Sequence, residues 1–338
     1  MVGYPGTVHK SPWATFKSKK SGGWTIGVSN NQGNANSQLL AEGFKAEAAA
    51  SGGKVKKIIS LTANPPNDVT TQLQQMRSLL ERKVDIILST LSSPTALNSV
   101  IDQAAKQGVP VISIQGQSTS RNAINIQPNP TLFGYQGARG LVTQMGGKGS
   151  VFIVDAIPGI SIDTQILGAA KRVFEACGLQ IVGQVEGFFD PAKAKTETLQ
   201  FLATHPQQID GVFQLFNMTM GVISAFQQSG RTVPPVSDIG ANKASMAYWR
   251  DNASSGYKGT AVGSPTIGIG RYVMATALAV LEGRGPRSTD MAHAPIPIDD
   301  SNRARWTDPS WTTATQGISE GPPNVIPVKA LVNGFFTR

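Results

Sequence analysis

The stretch VSNNQGNANSQLL, residues 28–40, carries six side-chain amides in nine positions, from Asn30 to Gln38, with no charged or aromatic residue among them. An amide donates and accepts hydrogen bonds, so such a cluster suits a ligand whose hydroxyls do both. Asn30, Asn31, Gln32 and Asn34 follow the apolar run WTIGV directly. Polar groups recur beside other strand-like runs: Gln115 and Gln117 after VISI, Asp163 and Gln165 ahead of a helical stretch, Phe216 and Asn217 after GVFQL. One hydrogen bond is worth about 1 kcal/mol net, whereas micromolar binding needs about 8 kcal/mol. The reading therefore needs several such loops acting together, with apolar packing beside them. For any single amide a solvated loop or a helix cap is the alternative, and Asn36 is a candidate cap for the first helix.

Catalytic chemistry finds less support. The three histidines, His9, His205 and His293, stand in no metal-ligand spacing, and no Cys/His cluster accompanies them. Neither a GxSxG elbow nor an HExxH helix occurs. The segment Gly27–Gly33 lacks the Lys-Ser/Thr of a phosphate loop, and Gly27 falls inside a strand-like run. His205, beside Pro206, reads as a helix-terminus residue. No catalytic residue, metal or cofactor is expected. Cys177 is the only cysteine, so no intramolecular disulfide forms; following Val173, Phe174 and Ala176, it is expected to be a buried thiol.

The elements that must position these loops alternate in type. Strands are expected at 24–29, 55–61, 84–89, 109–114, 122–126, 149–154, 179–186, 209–215, 234–239 and 258–263. Helices are expected at 37–50, 68–82, 94–107, 131–146, 162–177, 192–204, 218–229, 242–252 and 265–282. This is the pattern of βαβ units, hence an α/β fold of parallel sheets flanked by helices. In helix 68–82, Val69, Leu73, Met76 and Leu80 repeat at helical spacing, leaving Gln, Arg and Glu outward, and Asn67 or Asp68 caps it. The segments 84–114 and 209–239 share one plan, each with an Asp (Asp85, Asp210) just before its strand. Ten strands in two similar halves imply two Rossmann-like lobes, and ligands bind outside the carboxyl ends of such strands.

The formal charge is +9, from 30 Lys and Arg against 21 Asp and Glu. These charges are spread along the chain without interleaved aromatics, which disfavours a nucleic-acid partner and favours a solvated basic surface. No apolar run is long enough to span a bilayer. Residues 1–23 lack a signal-peptide core and read as a flexible basic lead containing Lys10, Lys17, Lys19 and Lys20.

Several of these stretches resemble the type I periplasmic solute-binding proteins of ABC transporters, in the ribose- and galactose-binding branch. The resemblance spans about residues 24–285 and rests on VSNNQGN, GVPVISIQGQ, FFDPAKAKTETLQFLATHP, IDGVFQLFNMTMGVISAF and SPTIGIGRYVMATALAVLEG, in that order. It implies a clamshell of two lobes with a three-segment hinge, closing on a sugar or sugar-like solute. Expected boundaries are 24–117 plus 265–285 for the N-terminal lobe, and 121–261 plus 289–338, with an extended tail, for the C-terminal lobe. The implied partners are the solute and an ABC permease in the membrane. The implied location is the periplasm, or the cell surface as a lipoprotein, and the implied state is a monomer. A ligand-sensing domain of a transcriptional regulator or chemoreceptor system is the alternative, as is a nucleoside or signalling-molecule binder.

By the same resemblance Phe189 corresponds to an aromatic that packs on a sugar face, with core filling as the alternative. Departures from the family pattern replace charge with amides or small residues. Gln115-Gly116 stand where an Asp, often followed by Arg, is common, and Gln165 stands where Arg is common. Gly240-Ala241-Asn242 replace a usual Asp, placing Asn242 in the candidate site, and Gly263-Ser264 replace a Gln, placing Ser264 there. The strand-one aromatics are missing. Asp163 either supplies the one remaining charge or caps its helix. The implied ligand is a small, neutral, hydroxylated solute.

Overall fold

The computed structural model describes residues 8–159, 161–323 and 325–336. These residues form two compact units. The N-terminal unit comprises 8–128, 266–293 and 325–336; the C-terminal unit comprises 129–265 and 294–323.

The N-terminal unit contains strands β1 (Trp24–Asn30), β2 (Val55–Thr62), β3 (Ile86–Thr90), β4 (Val111–Ile114) and β5 (Ala123–Pro128). Helices α1 (Ala35–Ala49), α2 (Val69–Glu81) and α3 (Asn98–Lys106) connect them. The C-terminal unit continues with α4 (Pro130–Gln144), β6 (Ser150–Asp155), α5 (Ser161–Ala176), β7 (Gln180–Glu186), α6 (Pro191–Thr204) and β8 (Gly211–Gln214). It is completed by α7 (Thr219–Gln228), β9 (Val236–Ile239), α8 (Lys243–Asn252) and β10 (Gly259–Gly263). Helix α9 (Thr266–Leu281) and β11 (Asp290–His293) return to the N-terminal unit, β12 (Ile296–Ile298) to the other, and α10 (Val328–Phe335) again to the first. All ten expected strands and all nine expected helices are present; β11, β12 and α10 are additional.

The sheet orders are β2-β1-β3-β4-β5-β11 and β7-β6-β8-β9-β10-β12, so the first five strands of each follow one plan. The sixth strands differ, β11 pairing parallel and β12 antiparallel. The repeated aspartates do the same work in both. Asp85 accepts from Thr25 N at 2.7 Å and its own N–H donates to Thr25 O at 2.8 Å, tying the start of β3 to β1. Asp210 accepts from Ser150 N at 2.8 Å and its N–H donates to Ser150 O at 3.0 Å, tying β8 to β6.

The central strands are apolar because both faces are covered; Ile26, Ile86, Ile112 and Ile124 in one unit and Phe152, Ile153, Val212 and Phe213 in the other are fully buried. Helix α1 approaches α9 through Gly43 and Gly270, where a Cβ would collide with the carbonyls of Ile267 and Leu40.

Four expectations change. The boundary placed residues 121–126 in the C-terminal lobe, but β5 pairs with β4 in the first sheet. The tail does not stay on the C-terminal unit: Val332 and Phe336 are buried in the N-terminal core. The lead is not loose over residues 9–16, because Trp13 is buried in that core and its Nε1 donates to Asn122 O at 2.8 Å. Its indole offers large apolar area, which outweighs the polar character of its neighbours. Cys177 is exposed rather than buried, lying just past the end of α5, whose contact with the core is made by Ile166, Leu167, Ala170 and Phe174.

Trp13→Ala is expected to destabilise the N-terminal unit by about 3 kcal/mol or more. Urea unfolding followed by tryptophan fluorescence and circular dichroism checks this; an unchanged midpoint would mean that the lead is dispensable to the fold.

Candidate functional site

In a 2-1-3-4-5 sheet the strand order reverses between the first and third strands, opening a crevice at their carboxyl ends. In the N-terminal unit that point lies between β1 and β3, and a cavity of about 200 Å³ occupies it. Its wall includes five amides, Asn31, Gln32, Asn34, Asn36 and Gln115, together with Thr90, and contains no ionisable side chain. Asn36 Nδ2 donates to Gln115 Oε1 at 2.8 Å, and Gln115 Nε2 returns a longer bond to Asn36 Oδ1 at 3.4 Å. Asn31 Oδ1 accepts from the Thr90 hydroxyl at 3.0 Å, and Asn31 Nδ2 donates to Asn67 Oδ1 at 2.9 Å. Gln115 has φ of 56°, a left-handed conformation that non-glycine residues adopt at a cost and that recurs at binding sites.

The cap of α1 is Asn34, not Asn36. Its Oδ1 accepts from Ser37 N at 3.0 Å, and the Ser37 hydroxyl accepts from Asn34 N at 3.0 Å, completing a capping box. Starting the helix there frees Asn36 to face the cavity, a placement the sequence reading missed. Two other candidates are committed to the fold. Asn30 is buried and its Nδ2 donates to Ser60 Oγ at 3.4 Å, while Gln117 Nε2 donates to Asp290 Oδ1 at 3.0 Å.

Helix α2 departs from its expected face. Asp68 caps it, accepting from Thr71 N at 2.6 Å; the Thr71 hydroxyl, with that backbone bond second, holds its carboxyl below the ordinary value. Gln72 and Gln75, expected outward, are buried instead. Gln72 Nε2 donates to Thr90 O at 2.7 Å, and its Oε1 accepts from Ser92 N and Oγ at 2.8 Å each. It thereby satisfies the backbone that leaves β3 and fixes the loop beside Thr90.

In the C-terminal unit the loops after β7, β8 and β9 each contain left-handed residues: Phe188 and Phe189, Phe216 and Asn217, then Ala241. Phe189 and Phe216 lie 6.1 Å apart between ring centroids, Phe216 packs edge-on against Phe133 at 5.8 Å, and Asn217 Nδ2 donates to Phe189 O at 3.3 Å. Gly240, at φ +116°, lies against the Phe216 ring. These rings form an apolar shelf at the carboxyl end of the sheet.

Beneath the shelf Asp238 is buried. It accepts from Asn242 N at 2.8 Å, Asn242 Nδ2 at 2.9 Å, Gln214 Nε2 at 3.0 Å and the Ser245 hydroxyl. Burial pushes its carboxyl up, opposed by the bonds from Ser245 and Asn242. Asn242 is therefore tied into this network and itself buried. The Ser264 hydroxyl oxygen is buried without a hydrogen-bond partner, and Gln165 lies half-buried on α5.

Asp163 is buried on the first turn of α5, where Oδ2 accepts from Ile157 N at 2.6 Å and Oδ1 has no partner. Burial pushes its carboxyl up to about 6, the Ile157 bond opposes this, and the charge of Asp155 adds to it.

A family model, the periplasmic binding protein domain, matches residues 26–285. The ribose import binding protein RbsB of Bacillus subtilis (strain 168) is 26% identical over 279 residues, covering 82% of this chain and 87% of that protein. A xylitol-binding protein of Mycolicibacterium smegmatis is 26% identical over 176 residues, 51% of this chain and 50% of its own length. The crystal structure of an ABC transporter solute binding protein from Thermobispora bispora superposes with a TM-score of 0.70 at 26% identity, covering 88% of this chain and 90% of that one.

A raised carboxyl binds its proton in the folded state at pH values where the unfolded chain has released it. The stability contributed by Asp163 is therefore complete below its ordinary value of 3.8 and is lost as pH rises through about 6. Asp163→Asn removes that loss and is expected to stabilise the protein at neutral pH by on the order of 1 kcal/mol, with no gain at low pH. Thermal melts of both proteins across this range test the assignment, and parallel curves would refute it.

Proposed function

Because the chain belongs to the periplasmic binding protein family, we propose that it is the solute-binding component of an ABC importer, capturing a neutral sugar or polyol for a membrane permease. The observation that carries this reading is the amide-walled cavity at the switch point of the N-terminal sheet, free of ionisable side chains. Hydroxyls are recognised there by Asn31, Asn36 and Gln115. The pair Asn36–Gln115 holds donors and acceptors ready for a solute that replaces their mutual bonds.

The C-terminal unit, taken by itself, also carries chemistry suited to a sugar. Phe189 and Phe216 present apolar ring faces, which suit the C–H face of a sugar or cyclitol. Gln165 and Asn217 supply partly or fully exposed polar groups in this unit, whereas Asp163 Oδ1 and Ser264 Oγ are buried without partners. Asn30, Asn34, Gln117 and Asn242 serve by holding the loops. Relatives whose names specify ribose import or xylitol binding support the solute class. The protein acts outside the cytoplasm, in the periplasm or on the cell surface, as a monomer without catalysis.

Calorimetry with D-ribose, D-allose, xylitol, myo-inositol, nucleosides and sugar acids tests the reading. A neutral hydroxylated solute is expected to bind. Asn36→Ala and Gln115→Ala should each weaken it about tenfold, the equivalent of one hydrogen bond, with little change in melting temperature. Tight binding confined to a sugar acid or a cation would overturn the neutral pocket.

A further inference from the structure

The net positive charge is not shared between the units. The described residues of the N-terminal unit carry 17 Lys and Arg against 8 Asp and Glu, whereas those of the C-terminal unit carry 12 against 13. Within the N-terminal unit much of the excess converges on one place, the amino ends of β1, β2 and β3. Three segments meet there: 17–20, 54–57 and 82–83. Trp24 N donates to Lys54 O at 2.9 Å, Trp24 Nε1 donates to Ser18 Oγ at 3.3 Å, and Lys20 bonds Asp85 at 2.8 Å. Adjacent strands lie about 5 Å apart, so the three segments share a face only a few strand spacings wide.

Eight basic residues stand on this face, and all are exposed. Lys20 pairs with Asp85 and Lys54 with Glu282. The other six, Lys17, Lys19, Lys56, Lys57, Arg82 and Lys83, form no ion pair among the described residues. A register shift opposite Trp24/Thr25 skips Lys56, so that Lys56 and Lys57 are both exposed although adjacent in a strand. Protection of the edge strand β2 against pairing would account for those two. It does not account for the loop residues Lys17, Lys19, Arg82 and Lys83.

We propose that this basic face docks the protein on an anionic phospholipid surface. It lies at the opposite end of the sheet from the amide cavity, so the ligand loops of this unit stay clear of the contact. The chemistry favours lipid over nucleic acid. Seven of the eight residues are lysines, point charges suited to a diffuse field of headgroups rather than bidentate recognition. The nearby aromatics Trp13 and Trp24 are buried and cannot stack on bases, and no helix or ribbon presents the charges to a groove. Among the described residues these three segments expose no large apolar side chain, so the contact is electrostatic and reversible. It is independent of which solute the protein carries.

Co-sedimentation of the full chain with vesicles tests this. Binding is expected to phosphatidylcholine vesicles containing about 30 mol % phosphatidylglycerol and not to phosphatidylcholine alone, and it should be lost between about 0.05 and 0.3 M salt. Replacing Lys17, Lys19, Lys56 and Lys57 together by Gln should weaken it about a hundredfold or more. A control replacing the exposed Lys148, Arg172, Lys258 and Arg305 of the C-terminal unit by Gln should change it little. Equal losses in the two variants, salt-insensitive binding, no binding at low salt, or stronger retention of duplex DNA at matched phosphate would each overturn the proposal. The salt series on the unmodified protein stands even if a variant folds poorly, and solute calorimetry on the same samples reports separately on the importer reading.

Discussion

The backbone that leaves a buried parallel strand must find hydrogen-bond partners away from water, and the carboxyl-end face of each unit depends on the side chains that supply them. In the N-terminal unit Gln72 reaches from α2 to Thr90 O, Ser92 N and the Ser92 hydroxyl. In the C-terminal unit Asp238 and Gln214 perform the equivalent task for the loops after β8 and β9. Buried networks of this kind rigidify when fully satisfied and fail badly when one member is lost. Those of the C-terminal unit flank Phe216, Asn217 and Ala241, which hold left-handed conformations.

The two units solve one problem twice with different chemistry. Their five-strand orders match, and Asp85 and Asp210 close the same strand-to-strand bond at the amino ends. At the carboxyl ends they diverge, one sheet ending in an amide-walled cavity and the other in a shelf of phenylalanines. The chain after residue 294 deepens the difference. Trp306 is buried against Gly263 and Gly321, where any Cβ would come close to its ring. The same segment joins the β9 loop through Ser319 N to Ala241 O at 2.8 Å and Lys243 N to Gly317 O at 2.9 Å. The segment thus braces the loop after β9, using glycine positions to admit a large indole.

Charge is segregated in a comparable way. The amide cavity has no ionisable wall residue, while the opposite end of the same sheet collects exposed lysines, most of them without an ion pair among the described residues. Exposed charges act over about 10 Å in ordinary salt, so placing them at the far end of the sheet limits the positive field at the cavity.

The sequence alone determined the alternation of strands and helices, because apolar periodicity is a local property. It determined the internal repeat and the location of the polar loops for the same reason, and the motif order was enough to bring out the family resemblance. It could not say which amide of 30–38 caps α1, since Asn34 and Asn36 are both good caps and only the helix register chooses. Gln72 and Gln75 read as solvent-facing by polarity, yet the sheet needs their hydrogen bonds. Trp13 looked like part of a loose lead and Cys177 like part of a core, because packing is decided by distant neighbours. Asp238 sat unmarked in an apolar strand, its role visible only when Gln214, Asn242 and Ser245 close around it. Local pattern fixes which elements form; which polar groups face a ligand and which hold the frame depends on contacts far apart in the chain, and only the tertiary structure decides them.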